Sequence, residues 1–326
     1  MPRVSVVIPL FNKEKYIERA IRSVLSQSFQ NFELIIINDG STDESEKIVA
    51  GIQDARLILI NQANKGPGSA RNKGLKLAKS EYVAFLDADD EWSPDFLKTT
   101  LSALDANPKA AMVITSCFRG AEKEDYTPYL KNIGVKNGIW SMNDKVDGKA
   151  FKLFIDSFNP SMVLCKKRII SKLGGFFQKE KCCFGEDTYL WFKVILNYPV
   201  IRILRPLVWW HTEASELNTS VSRIPPLKPF LTDPDPIYKI CPIEYRSILD
   251  KALCYYALAG IKSTTLAKDW HHKRMLEHKF PLKRLIPKDY LVMQCYCFLK
   301  GANPLKINFL KLFLITKQIK RSMTAK

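Results

Sequence analysis

Cysteine is scarce in this sequence, 8 in 326 residues. Cys182 and Cys183 are adjacent, Cys295 and Cys297 are one residue apart, and no CxxC repeat of zinc type occurs. A disulfide-stapled scaffold and a zinc ribbon are excluded, and the thiols are expected to be reduced, as in a cytosolic protein. No apolar run approaches the roughly 18 residues of a spanning helix. The stretch Val4 to Ile8 ahead of Pro9 is too short for a secretory signal. There is no GxxxxGK[ST] loop and no GxGxxG fingerprint, which disfavours a Walker nucleotide site or a dinucleotide enzyme of the usual kind. Internal repeats and low-complexity tracts are also missing.

What is present is a globular composition, 46% hydrophobic, with 50 Lys and Arg against 33 Asp and Glu, a formal net charge of +17. The excess is uneven. Residues 224–326 carry 19 basic and 7 acidic side chains. A basic tail of this kind suits an anionic membrane surface, a nucleic acid or simply a solvated face.

The first 116 residues alternate β-rich runs with helical patterns, the mark of βαβ units around a mostly parallel sheet. Val4–Ile8, Glu33–Asn38, Arg56–Asn61, Tyr82–Leu86 and Met112–Thr115 are predicted strands. Ile17, Ile21, Val24 and Leu25 form one apolar helical face. Ser41 and Glu44 predict a capping box for the second helix, and Ser93-Pro94 a start for the fourth. Residues 120–147 have weak periodicity and are expected to be irregular. Patterning returns with a strand over Ser161–Cys165, helices over Lys167–Leu173 and Asp187–Leu196, and one or two strands over Val200–His211. Six of the chain's 18 prolines fall within residues 225–242, a segment expected to hold neither helix nor central strand. The predicted layout is a catalytic domain over 1–223, a proline-rich linker over 224–242 and a basic helical region over 243–326.

Ligands of an open parallel sheet collect at the carboxyl ends of the strands. Four such ends are polar here: Pro9-Leu10-Phe11-Asn12, Asn38-Asp39-Gly40-Ser41, Asn61 to Asn64 with Gly66-Pro67-Gly68-Ser69-Ala70-Arg71-Asn72, and Asp87-Ala88-Asp89-Asp90. Taken singly, a turn, a cap or a solvated loop explains each. Three Asp within four residues repel one another unless solvent or a cation compensates, and a hard divalent ion shared with substrate phosphates fits that need.

The run Val4-Ser5-Val6-Val7-Ile8-Pro9-Leu10-Phe11-Asn12, then Asn38-Asp39-Gly40-Ser41-Thr42-Asp43, Ala70-Arg71-Asn72, Phe85-Leu86-Asp87-Ala88-Asp89-Asp90, Gly174-Gly175-Phe176 and Gly185-Glu186-Asp187-Thr188-Tyr189-Leu190-Trp191 resembles the family 2 glycosyltransferases of GT-A fold, over roughly the first 210 residues. The resemblance implies an α/β fold with a mixed, mostly parallel central sheet and inverting sugar transfer from a nucleotide diphosphate sugar. Uridine diphosphate is the expected nucleotide on family frequency, and a hydroxyl of a glycan or lipid-linked glycan the expected acceptor. It further implies that Pro9, Phe11, Asn12, Asp39, Arg71 and Asp87 hold the nucleotide sugar, and that Mg2+ or Mn2+ sits on Asp89, with His211 as a second metal residue. Asp187 is implied as the general base, with Glu186 and then His211 next in line. Two departures stand out: Trp209 and Trp210 replace a more polar lead-in to His211, and Lys193 replaces a common Arg, which weakens a bidentate phosphate role. The Gln-X-X-Arg-Trp motif of processive synthases is absent.

The tail lies outside the resemblance. Leu305–Ile319 is apolar but broken by Lys306, Lys311 and Lys317, a pattern for lipid-surface contact or for packing on the catalytic domain. His271, His272 and His278 have no accompanying ligand set and are expected to be solvated. The expected place is the cytoplasm, peripheral at the inner face of the plasma membrane. Transfer to a polyprenyl phosphate and a non-catalytic glycan-binding protein are the alternatives. A nucleic-acid binder is disfavoured, because carboxylates at the strand ends would repel a phosphate backbone.

Overall fold

The computed structural model describes residues 1–214 and 226–301, with backbone alone at 298–301. The chain starts β1 (Val4–Leu10), α1 (Ile17–Leu25), β2 (Phe32–Asn38), α2 (Ser45–Ala50), β3 (Leu57–Asn61), α3 (Pro67–Leu77), β4 (Tyr82–Phe85). β1 pairs in parallel with β2 and β4, and β2 with β3. Strands inside a parallel sheet are covered on both faces and read as continuous apolar runs. Val4, Val6, Val7 and Ile8 are accordingly fully buried, as are Leu34, Ile36 and Ile37.

The chain then forms β5 (Glu91–Trp92), α4 (Phe96–Ala106), β6 (Met112–Arg119), β7 (Glu124–Asp125), α5 (Thr127–Asn132), β8 (Gly138–Trp140), α6 (Gly148–Ile155), β9 (Val163–Lys166), α7 (Lys167–Lys172), α8 (Glu186–Asn197) and β10 (Val200–Trp210). The sheet order is β3-β2-β1-β4-β9-β6-β10-β5, with β7 beside β6 and β8 beside β10. β9 is antiparallel to β4 and β6, and β10 runs parallel to β6. The mixed, mostly parallel α/β sheet is the expected one.

Several local expectations are corrected. Ser41 does not cap the second helix: its Oγ accepts from the Asn12 backbone N–H at 3.1 Å, and α2 starts at Ser45 behind Glu44. The fourth helix begins at Phe96, its first N–H bonded to the Ser93 carbonyl. Residues 120–147 are not wholly irregular, since β7, α5 and β8 lie there. Elements of two to six residues are too short to display a period.

The proline-rich segment does hold helices, α9 (Pro229–Thr232) and α10 (Asp235–Ile240). Pro229 and Pro236 sit in the first turns, where the missing N–H has no helical partner to lose. Phe230 and Ile237 are fully buried, and the Phe230 ring meets Phe192 of α8 edge-on at 5.1 Å. The first compact unit runs Met1–Ile248 and a second starts at Leu249.

The boundary falls within α11 (Arg246–Leu266), which is followed by α12 (Trp270–Lys279), α13 (Leu282–Leu285) and α14 (Pro287–Gly301). In the second unit Leu249, Ala252, Leu253, Ala257 and Ile261 form a buried helical stripe. Asp269 caps α12 by accepting from the His272 N–H at 3.1 Å and pairs with the His272 ring. The segment Leu305–Ile319 lies outside the described residues. No helix among the described residues is long and apolar enough to cross a membrane.

Candidate active site

The carboxyl ends of β1, β2 and β4 open onto a cleft of about 630 Å³. Pro9, Phe11, Asp39, Arg71, Asp87 and Asp89 line one side, and Phe158, Phe184, Glu186, Asp187 and Trp210 contribute to the rest. Eight of the ten residues expected at the site therefore share one cleft; Asn12 and His211 do not line it.

Asp39 is almost fully buried at the end of β2. Its Oδ1 accepts from Gln62 Nε2 at 2.7 Å and the Lys65 N–H at 2.9 Å, and its Oδ2 from the Gly66 N–H at 2.8 Å. A carboxylate accepts about four hydrogen bonds, so one place remains for a ligand after the loop is fixed. Asn12 instead works as a clasp. With φ at 49°, its Oδ1 accepts from the Thr42 N–H at 2.8 Å, joining the turn after β1 to the turn after β2.

Arg71, near the middle of α3, joins the two walls. It donates from Nη2 to Asp87 Oδ1 at 2.6 Å and from Nη1 to Glu186 Oε1 at 2.7 Å, with only 5% of its side chain exposed. Burial opposes its charge, but Asp87 and Glu186 outweigh burial and raise its pKa. At Glu186 burial comes first and Asp187 second, and they push the carboxyl up to about 7 against the pull of Arg71. The close approach of α3 to the loop before α8 depends on Gly68, where an added Cβ would stand 2.1 Å from the Phe177 carbonyl oxygen. Asn72 secures the same loop, accepting from the Phe176 N–H at 2.8 Å and donating to its carbonyl at 2.9 Å. The motifs gave Asn72 no role; Gly175, where an added Cβ would stand 2.3 Å from Asn72 Oδ1, was the available signal.

Asp187 is the second residue of α8, and Gly185 precedes the helix with φ at +83°. A helix start favours negative charge. Asp187 Oδ1 accepts from the Thr188 N–H at 2.6 Å, and among the described residues Asp187 forms no ion pair. Lys193, further along α8, donates to the Leu173 carbonyl at 3.1 Å at the end of α7.

Asp89 pairs with Lys13 at 3.0 Å, and burial, only partly opposed by Lys13, raises its pKa. Asp90 points inward, accepting from Ser161 Oγ at 2.6 Å and the His211 N–H at 3.1 Å. His211 is 3% exposed, and its ring nitrogens stand 2.8 Å from Glu91 and 2.8 Å from Glu213. The cleft offers hard oxygen donors in Asp87 and Asp89, which suit Mg2+ or Mn2+. Among the described residues no three His, Cys, Asp or Glu side chains form a complete shell. An ion on Asp89 would take further ligands from phosphates and water, as magnesium commonly does.

A GT-A sheet with aspartates at its strand ends defines the class, and residues 5–174 match the family described as Glycosyl transferase family 2. The chain belongs to that family. An uncharacterised glycosyltransferase of Rickettsia typhi is 29% identical over 194 residues, 60% of this chain and 59% of the relative. The glycosyltransferase GlyA of Streptococcus pneumoniae is 24% identical over 89% of this chain and 43% of its own length. The chain thus spans less than two thirds of the curated relatives it matches. Among solved structures, Staphylococcus aureus TarS 1–349 in complex with UDP-GlcNAc has a TM-score of 0.58 at 19% identity, covering 85% of this chain and 90% of that one. A Pyrobaculum calidifontis mannosyltransferase in complex with GDP-Man and Mn2+ has a TM-score of 0.55 at 19% identity, covering 92% and 86%.

Proposed function

We propose that the protein is an inverting glycosyltransferase that moves a sugar from a nucleotide diphosphate sugar to a hydroxyl of a glycan or lipid-linked glycan. The observation that carries this is the two-walled cleft, in which Arg71 ties Asp87 to Glu186 while Asp187 beside them forms no ion pair among the described residues. Asp39, Pro9, Phe11 and Asp87 line the donor wall, and Arg71 fixes Asp87 there. The nucleotide-sugar complexes of the two structural neighbours support a donor of that class, UDP being the first nucleotide to try.

In the transfer, an acceptor oxygen lone pair forms the bond to the anomeric carbon, the bond from that carbon to the diphosphate oxygen breaks, and the acceptor proton passes to an Asp187 carboxylate oxygen. A base placed opposite the leaving group accounts for inversion. Asp89 would hold Mg2+ or Mn2+, which when bound supplies positive charge to the departing diphosphate. A panel of nucleotide sugars incubated with Mn2+ should give nucleotide diphosphate release from one donor. Release from none of them, in a folded protein that also binds no nucleotide, would reject the reading.

We further propose attachment to an anionic membrane face through the second unit. Lys279, Lys283, Arg284 and Lys288 are exposed there together with Trp270, Leu291 and Val292. Each basic residue near such a surface contributes on the order of 1 kcal/mol. Reversing Lys283 and Arg284 to Glu should lower sedimentation with phosphatidylserine vesicles by at least tenfold in low salt; equal sedimentation counts against the attachment.

A further inference from the structure

Lys13 is a cation inside the cleft that the motifs did not single out. It follows Phe11 and Asn12 in the turn after β1, where its backbone N–H donates to Ser45 Oγ at 2.9 Å. The ammonium group stands 3.0 Å from Asp89 Oδ2 and donates to the Ala214 carbonyl at 3.0 Å. The two side chains are 16% and 14% exposed, and both line the cleft.

Asp89 is the carboxylate placed to hold the divalent ion. A carboxylate so shielded from water needs a positive partner, and without an ion Lys13 is that partner. A divalent cation and an ammonium group on one carboxylate oxygen repel each other at contact distance, so an ion taken up at Asp89 Oδ2 favours release of Lys13. The ammonium must then turn to another negative group in the same cleft, and the bound donor brings one in its diphosphate.

We propose that Lys13 is an exchangeable counter-cation of the donor site: it neutralises Asp89 while the cleft holds no ion, and binds the donor diphosphate once an ion has taken Asp89. Lys13 thereby competes with the ion when nucleotide is absent and assists it when nucleotide is present. The inference rests on the assignment of Asp89 to the metal. It predicts that loss of the lysine charge has opposite effects on two ligands, which damage to the fold would not produce.

The test is Mn2+ binding by electron paramagnetic resonance and UDP binding by calorimetry, on the full chain, for wild type, Lys13→Gln and Lys13→Arg. In Lys13→Gln, Mn2+ should bind about tenfold more tightly without nucleotide, which corresponds to ~1.4 kcal/mol. UDP should bind about tenfold more weakly at saturating Mn2+ by the same relation. Lys13→Arg keeps the charge and should leave both affinities within about threefold of wild type. Equal or weaker Mn2+ binding in Lys13→Gln, with a thermal midpoint like that of wild type, overturns the proposal. If Lys13→Gln does not fold, a Mn2+ affinity raised tenfold in Lys13→Arg overturns it as well. Wild-type protein that binds UDP but no Mn2+ removes the assignment of Asp89 and this inference together, whereas tight Mn2+ binding with no Lys13 effect removes the inference alone.

Discussion

The two walls of the cleft differ in how their acids are held. On the donor wall Asp39 accepts three hydrogen bonds, Asp87 is paired with Arg71 and Asp89 with Lys13. On the opposite wall Glu186 is paired as well, yet its neighbour Asp187 accepts, among the described residues, only from Thr188. Acids that orient a ligand gain from being fixed, because preorganisation lowers the cost of binding. An acid that must take up a proton gains from lacking a cation partner, since a cation would lower its basicity. On the proposed reading, the contrast separates residues that would build the donor site from the one that would accept the acceptor proton.

The strongest way to break the comparison is Asp187→Asn, which keeps shape and removes basicity. A general base contributes typically about 10²- to 10⁴-fold, so turnover should fall by that factor while UDP affinity stays near wild type. Near-normal turnover in the folded variant would move the base to Glu186. Next comes Arg71→Met, which unpairs an acid on each wall at once. Removing one partner of a buried ion pair costs about 3 to 5 kcal/mol, so chemical denaturation should show a loss of that size. Unchanged stability would mean that the two walls are not joined through Arg71. Smaller again is Asp39→Ala, where lost hydrogen bonds to a polar ligand and to the loop should weaken UDP binding by about 1 to 3 kcal/mol. Calorimetry with equal affinity would leave Asp39 a loop-former only.

The strand-end side of the cleft was legible in the sequence because its parts are local. Buried parallel strands appear as unbroken apolar runs such as Val4–Ile8, and the polar groups stand directly after them. The link between the walls was not legible. Arg71 and Glu186 are 115 positions apart, and no spacing rule brings them together. The motif resemblance put both near the site, but did not show that the two Nη groups of Arg71 are bonded to Asp87 and Glu186. The bond from the Thr42 N–H to Asn12 Oδ1 was hidden for a related reason: a polar side chain after a strand can bind a ligand or the next turn, and spacing does not name its tertiary partner. Prolines misled at 225–242, because a proline forbids the interior of a helix and favours its first turn.

The smallest expected effect concerns Glu186 and pH. Its folded pKa, about 7, lies above the ordinary 4.5 because burial and the nearby Asp187 oppose ionisation more than Arg71 favours it. An acid whose pKa is raised on folding binds its proton more tightly in the folded state than in the unfolded chain. The stabilisation is therefore fully present below about 4.5 and is lost as pH rises through about 7. Glu186→Gln cannot ionise and should remove this component, so the variant should lose less stability than wild type between pH 5 and pH 8. The value near 7 already includes the pull of Arg71, which meets Glu186 at 2.7 Å, and a shift of one unit corresponds to ~1.4 kcal/mol, so the expected difference is on the order of 1 kcal/mol per pH unit crossed. Denaturation curves for both proteins at the two pH values measure it directly. A wild-type protein that gains stability over this range relative to Glu186→Gln would show that Arg71 dominates, with Glu186 ionised throughout. Both walls would then present fixed charge, and Asp187 would differ from its neighbour only in lacking a cation.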